Sequence, residues 1–553
     1  MALLLDIFGF LSVLLRGLTI TAQSLCVGGI AFLALLARPL ADEVADGLPL
    51  LRRSTRLAGW SAVALAVAAA ADIALATATL IGTADLSLGD ALGAQSVLAD
   101  VVVLAAALLA AGLCLGVPRH APTAALVALA VVILAAQTAT SHAIARVEDR
   151  APLALAEFLH QAAAAVWVGG IPYLVLALAM MRDGISVGRV GKRFSTMSVG
   201  SVGVLVAAGF VMSLAYIGSL EAFYGTAYGV MVGTKVALLG FLLFLGGMNY
   251  LLVDRVLDDP RTPTKRFRRF AEVEVGIGIT VFFAAASLTS LPPASDLTQD
   301  RATLHEIAER LVPQWPRLAS PDRASLAIPE LQAKLDAENA AAAARAANRP
   351  QAFVPGAGEL PPRNAEDIAW SEYNHHWAGI FVLAIGLLSL AERSGWAPWA
   401  RHWPLLFVGL AAFLLVRSDP ETWPLGDVGF FESLRDPEVV QHRVFVVLTA
   451  AFGLFEWGVR NGRIRSGGAA LVFPLITAIG GGLLLTHSHA LANVKDQFLI
   501  EISHVPLALL GILAGWTRWL ELRLPPPGNR LPAWAWPVCF VLIGLLLLSY
   551  REA

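Results

Sequence analysis

Apolar runs of about 20 residues recur along the whole chain, the length an α-helix needs to cross a bilayer. Fourteen such segments are expected. The first half holds them near 11–37, 57–81, 96–116, 122–144, 153–181, 197–218, 229–251 and 270–290. The second half holds them near 376–392, 402–417, 441–459, 468–490, 500–520 and 533–550. Inside lipid every backbone polar group needs an internal partner, so spans of this kind are helical. The expected fold is an all-α polytopic membrane protein with about 14 transmembrane helices in two bundles.

A polar stretch near 291–370 interrupts the pattern. It is rich in Ala, Pro and charge, and Pro292-Pro293 and Pro361-Pro362 bracket it. Helical patterns lie near 299–311 and 328–347. The expected organisation is a membrane domain at 1–290, a linker segment at 291–370 and a second membrane domain at 371–553. The linker carries His305 but no Met and no Cys, so it shows no metal-binding pattern. It reads as amphipathic helices resting on the outer surface, with partner docking as the other role.

Composition narrows the class. The chain is 57% hydrophobic and 15% charged, with a mean hydropathy of +0.67, which excludes a soluble domain of this size. A net charge of −2 points to no partner, and no nucleic acid is expected. Cys26, Cys114 and Cys539 stand singly in apolar segments, which suggests neither a disulfide frame nor a CxxC metal site. The N-terminus lacks a basic leader and a small-residue cleavage site, so a retained first helix is expected.

Lys and Arg set an orientation. Arg38, Arg52, Arg53 and Arg56 share one loop. Arg182, Arg189, Lys192 and Arg193 share the next inside loop, and six basic residues from Arg255 to Arg269 a third. The intervening loops at 82–95 and 219–228 contain neither Lys nor Arg. Both termini are then outside, which in a bacterial inner membrane is the periplasm.

That topology sorts the eleven histidines. His142, His160, His375, His376, His442, His487, His489 and His504 fall in one leaflet, the outer one. His120 and His402 lie toward the inner face. Intramembrane ionisable groups are costly and face a protein interior or a water-filled cavity. His376, His442, His487 or His489, and His504 come from four helices at one depth, and neutral imidazole ligates copper, zinc, iron and nickel. The expectation is a metal or haem site in the second domain, set against a polar network that only ties helices together. His487 and His489 sit about 200° apart on a regular helix, so both serve one site only if the helix end unwinds. Glu501 shares a face with His504. Glu372 and Glu438 precede His376 and His442 by four, as partners fixing the imidazole tautomer or as solvated acids at helix N-termini.

A short echo links the halves: Ser488-His489-Ala490 matches Ser141-His142-Ala143, with a further histidine in the following helix of each. An old duplication is expected rather than a chance match. The first domain also offers sulfur, with Met212 and Met231 toward the outer ends of their spans. Thioether suits Cu(I), although Met is also an ordinary core filler. Asp72, Asp100 and Lys235 fall within spans and either pair or line a pathway.

Phe158–Gly170 (FLHQAAAAVWVGG), Tyr224–Val236 (YGTAYGVMVGTKV), Met248-Asn249 and Ser141-His142-Ala143 together resemble the copper resistance protein D (CopD) family over roughly residues 1–295. The resemblance implies an inner-membrane protein that moves copper, usually inward from the periplasm, often alongside a periplasmic copper-binding CopC protein. It carries His142 and His160 over as candidate ligands. The leading expectation is copper transport or resistance through periplasmic-face histidines. The alternative is a b-type haem redox protein with axial histidines from two helices of the second domain. A third reading makes the histidines structural cross-links. No catalytic residue is singled out, and enzymatic activity is left open.

Overall fold

The computed structural model describes residues 8–84, 86–116, 121–145, 149–297, 301–321, 365–420, 422–434, 437–486 and 494–552, with a few single positions between 333 and 344. Among the described residues the chain is helical, and the only β-type pairing is an isolated bridge between Thr422 and Val428. Among the described residues, each of the fourteen expected apolar segments is mainly helical. Eleven are long and apolar enough to cross a membrane, and Thr123–Thr138, Leu405–Arg417 and Ala469–Leu484 are shorter. The chain is an all-α polytopic membrane protein. It divides into two compact units, 3–299 and 300–553.

The first unit contains α1 (Phe8–Phe32), α2 (Gly47–Ala84), α3 (Gln95–Gly116), α4 (Thr123–Thr138), α5 (Arg150–Trp167), α6 (Ile171–Met180), α7 (Gly184–Tyr216), α8 (Ala227–Asp258) and α9 (Lys265–Thr289). Helix α1 is central and packs on α2, α4, α5, α6 and α9. Lipid tails are as apolar as Leu, so close van der Waals packing, not apolar burial, holds such helices together. Small residues provide it. A Cβ on Gly169 would lie 1.9 Å from the Ser24 carbonyl oxygen, and one on Gly28 would lie 2.3 Å from that of Ala165. The Gly169-Gly170 pair therefore lets α1 and α5 meet backbone to backbone, and it marks the break between α5 and α6.

The second unit contains α10 (Leu304–Leu311), α11 (Ala365–Arg393), α12 (Leu405–Arg417), α13 (Pro437–Arg460), α14 (Val472–Leu484), α15 (Val494–Arg523) and α16 (Arg530–Leu548). Thr303 starts α10 with a capping box to Glu306, where the expected 299–311 pattern lies; most of 328–347 lies outside the described residues. Helix α11 packs on α16, α16 on α15, α15 on α14, and α12 on both α11 and α13. Gly379 and Gly544 let α11 and α16 touch: a Cβ on Gly544 would lie 2.4 Å from the Leu383 nitrogen. Trp403, Phe473, Trp536 and Phe540 form an aromatic core. Beside it, Arg460 bonds Glu392 at 2.7 Å and Glu456 at 3.0 Å and lies over the Trp403 ring. Glu521 binds Arg393, Arg518 and the Trp536 indole.

Candidate functional site

Three histidines of the second unit, His375, His376 and His504, converge on Tyr550. His375, on α11, stacks on the Tyr550 ring with centroids 4.0 Å apart. His504, on α15, meets His375 edge to face at 5.9 Å and Tyr550 at 5.6 Å. Each imidazole is fixed the same way. Nδ1 of His375 lies 2.8 Å from the Ser371 carbonyl, and Nδ1 of His504 lies 2.8 Å from the Ile500 carbonyl, each one turn back on its own helix. A carbonyl can only accept, so Nδ1 carries the hydrogen and Nε2 carries the ring's lone pair. Metal-binding histidines are commonly oriented in this way.

The neighbouring polar groups hold Tyr550 in place. Nε2 of His376 donates to the Tyr550 carbonyl at 2.9 Å, while its Nδ1 accepts from the Arg317 amide at 2.7 Å. The Tyr550 hydroxyl donates to Glu552, which also accepts from Ser371 at 2.8 Å. Burial first, then the charge and hydrogen bond of Glu552, push the Tyr550 phenol well above its ordinary pKa, so it stays neutral. Glu372 pairs with Arg317 at 3.3 Å and accepts from the Glu552 amide at 3.3 Å. Arg310 donates to the Arg551 carbonyl at 2.9 Å.

His442 belongs to another cluster. It bonds Asp419 at 2.6 Å, beside Arg443, whose guanidinium donates to Leu415 O, Thr422 Oγ1 and Trp423 O. Burial works against the Asp419 charge. The hydrogen bond from His442, the charges of His442 and Arg443, and the Ser418 hydroxyl together outweigh burial and hold its carboxyl below the usual range. Glu501 is half-buried on α15, three residues before His504. His487 and His489 lie outside the described residues.

In the first unit, His160 on α5 donates from Nδ1 to the Leu205 carbonyl of α7 at 3.2 Å. Gly209 makes room for the ring: a Cβ there would lie 3.3 Å from it. Glu157 and Gln161 bond at 2.7 Å one turn away, and Gln161 accepts from Gln23 of α1 at 3.2 Å. Lys235 of α8 is an electrostatic neighbour of both His160 and Glu157. Met212 packs against the cluster of Tyr216, Ile217 and Tyr228, and Met231 is buried on α8. The short helix His142–Ala145 places His142 just before α5, and its side chain is outside the description. The intramembrane acids also find partners: Thr19 bonds Asp72 at 2.7 Å and Arg16 bonds Gln137 at 2.9 Å, with Asp100 close to both charges.

Sequence reasoning placed His504 in the cluster but chose His376 over His375 and had no role for Tyr550. The tandem His375-His376 was the available signal. Which of the two faces α15 depends on the rotation of α11, which a two-residue motif does not encode. Among the described residues no three His, Cys, Asp or Glu side chains gather closely enough to hold a metal ion. The site is therefore a two-imidazole arrangement with a stacked phenol.

Residues 188–288, which cover α7 to α9, match the family model described as copper resistance protein D. This part of the first unit is thus similar to the copper resistance protein D family. The matched region contains the Tyr224–Val236 and Met248-Asn249 motifs, while Phe158–Gly170 precedes it. A similar curated protein is "Copper transport protein CutJ" of Bacillus subtilis (strain 168), 36% identical over 163 residues. That alignment covers 29% of this chain and 29% of the relative. No solved structure matches.

Proposed function

We propose that the protein handles copper at a bacterial inner membrane, as a transport or resistance protein that receives the ion at the periplasmic face. The observation that carries this reading is the His375–His504 pair, with both Nδ1 hydrogens on backbone carbonyls and rings 5.9 Å apart. Fixing the tautomer of both rings presents two neutral donors at no further ordering cost, and imidazole is a copper ligand. Tyr550, held neutral, covers one face of His375 and limits access of water.

Copper is the cargo in this reading. His160, with the same Nδ1-to-carbonyl arrangement, is the corresponding donor of the family-related first unit. The match of α7 to α9 to the copper resistance protein D family model and the name of the Bacillus relative support the choice of metal. His142, Met212, Met231, His376, His442, His487, His489 and Glu501 are further candidates to be sorted by substitution. A periplasmic copper-binding protein of CopC type is the proposed donor of the ion, and both termini are placed in the periplasm.

The test is copper accumulation in cells expressing the parent, His160→Ala, His375→Ala and His504→Ala at matched protein levels. Lower accumulation in all three supports import. Accumulation equal to the parent in all three would overturn the assignment.

A further inference from the structure

Glu274 is an acid inside the first membrane unit. It lies nine residues into α9 from Lys265, and its partner Asn249 lies nine residues before the end of α8 at Asp258. At 1.5 Å per residue both are about 14 Å from helix ends on the same side. The residues are 5% and 6% exposed. Nδ2 of Asn249 donates to Oε1 of Glu274 at 2.6 Å. Oδ1 of Asn249 is buried and has no hydrogen-bond partner.

Among the described residues no charge on the packed helices acts on Glu274. On α9 itself, Lys265 and Arg266 lie in the first turn, with Arg266 over the Phe270 ring, and Arg268 and Arg269 pair with Glu272. On α8, Asp254 pairs with Lys192 of α7, and Lys235 neighbours Glu157, while Arg255 and Asp258 lie in its last turn. On α1, Arg16 bonds Gln137. Helix α6 carries no charge, and its Tyr173 donates to the Leu25 carbonyl. Among the described residues, Asn249 is the side chain that acts on Glu274.

A buried carboxylate with one neutral donor and no counter-charge is strongly disfavoured in a low-dielectric interior; it takes a proton or a cation. A protonated carboxyl also supplies the O–H that an ionised one lacks, opposite an amide whose own oxygen is unsatisfied. We propose that Glu274 and Asn249 form an intramembrane proton-exchange site. The step is heterolysis of the carboxyl O–H: the proton passes to water, and the electron pair stays on the carboxylate oxygen. Binding and release at this depth give the first unit a means of coupling its work to a proton gradient. The inference does not depend on which ion the protein carries, because the site holds no imidazole, thiol or thioether.

Infrared difference spectroscopy on the reconstituted full chain, free of copper, tests it. The carbonyl-stretch band of a protonated carboxyl is expected in the parent and absent in Glu274→Gln, which keeps the acceptor for Asn249. The band should shift in D2O and fall as pH rises. Asn249→Ala removes the hydrogen bond to the carbonyl and should move the same band to higher frequency, which serves if the Gln variant does not fold. Parent and Glu274→Gln spectra that coincide would overturn the proposal. So would a band that ignores both D2O and pH, since that is a fixed neutral cross-link.

Discussion

Nε2 of His376 donates to the backbone carbonyl of Tyr550 at 2.9 Å and, with the bonds of Ser371 and Glu372 to Glu552, ties the start of α11 to the residues after α16. His375, the next residue on the helix, stacks on the ring of the same tyrosine. One histidine thus positions the phenol by its backbone, and the other faces it. The two are expected to respond differently to substitution.

His376→Ala strands the buried Tyr550 carbonyl and the Arg317 amide. Unsatisfied buried groups cost about 1–3 kcal/mol each. The expected result is a clear fall in thermal stability in detergent. His375→Ala removes a ring whose bonded partners are groups of its own helical turn, so the fall should be smaller. Equal losses in the two variants would contradict this division of roles.

Gly169 gives a packing prediction. Its Cβ would stand 1.9 Å from a backbone oxygen, which no rotamer change relieves. Gly169→Ala should destabilise the first unit by at least about 1–3 kcal/mol, the usual cost of overpacking. Gly200→Ala on α7, where a Cβ meets nothing within 4 Å, is the control and should leave the melting temperature unchanged or higher.

Arg460 offers a third. Its guanidinium answers both Glu392 and Glu456, and the Glu456 side chain is only 2% exposed. Removing one partner of a buried pair leaves an uncompensated charge at a cost of about 3–5 kcal/mol. Arg460→Ala should therefore be more damaging than the double variant Arg460→Met with Glu456→Gln. Thermal unfolding of the two proteins decides it, and a more stable single variant would refute the reading.

Asp419 supplies a pH dependence. Its carboxyl is held below the ordinary carboxylate value of about 3.9. A depressed carboxylate contributes stability at pH above the unfolded-state value, and that contribution is lost as pH falls through the lower, folded-state value. The stability gap between the parent and Asp419→Asn should close as pH falls below about 4. Unfolding followed across that range measures it; a gap that is the same at every pH would show that the Asp419 charge contributes nothing.

The helices were legible because a bilayer imposes one length and one composition on every span, and among the described residues eleven helices meet both. Gly169-Gly170 was visible only as part of the Phe158–Gly170 motif, because its packing partner, the Ser24 carbonyl, is more than a hundred residues away. The site was only half legible. His504 stood out as an intramembrane imidazole, but Tyr550 closes the expected 533–550 span and nothing local connects it to α11. Glu372 precedes His376 by one helical turn and was a natural partner for it. The fold instead supplies Arg317, from a polar segment whose path no periodicity encodes. Glu274 falls inside the expected 270–290 span and was not singled out beside Asp72, Asp100 and Lys235, although an acid at that depth was itself the signal.

The most direct test of the central claim is a Cu(I) titration of the purified full chain against a chromophoric competitor, with an absorption spectrum on the same sample. The account predicts a Cu(I) site that weakens at least tenfold, about 1.4 kcal/mol, in His375→Ala and in His504→Ala. Unchanged Cu(I) affinity in the double variant would contradict it, as would a Soret band with stoichiometric iron that vanishes in the same variants.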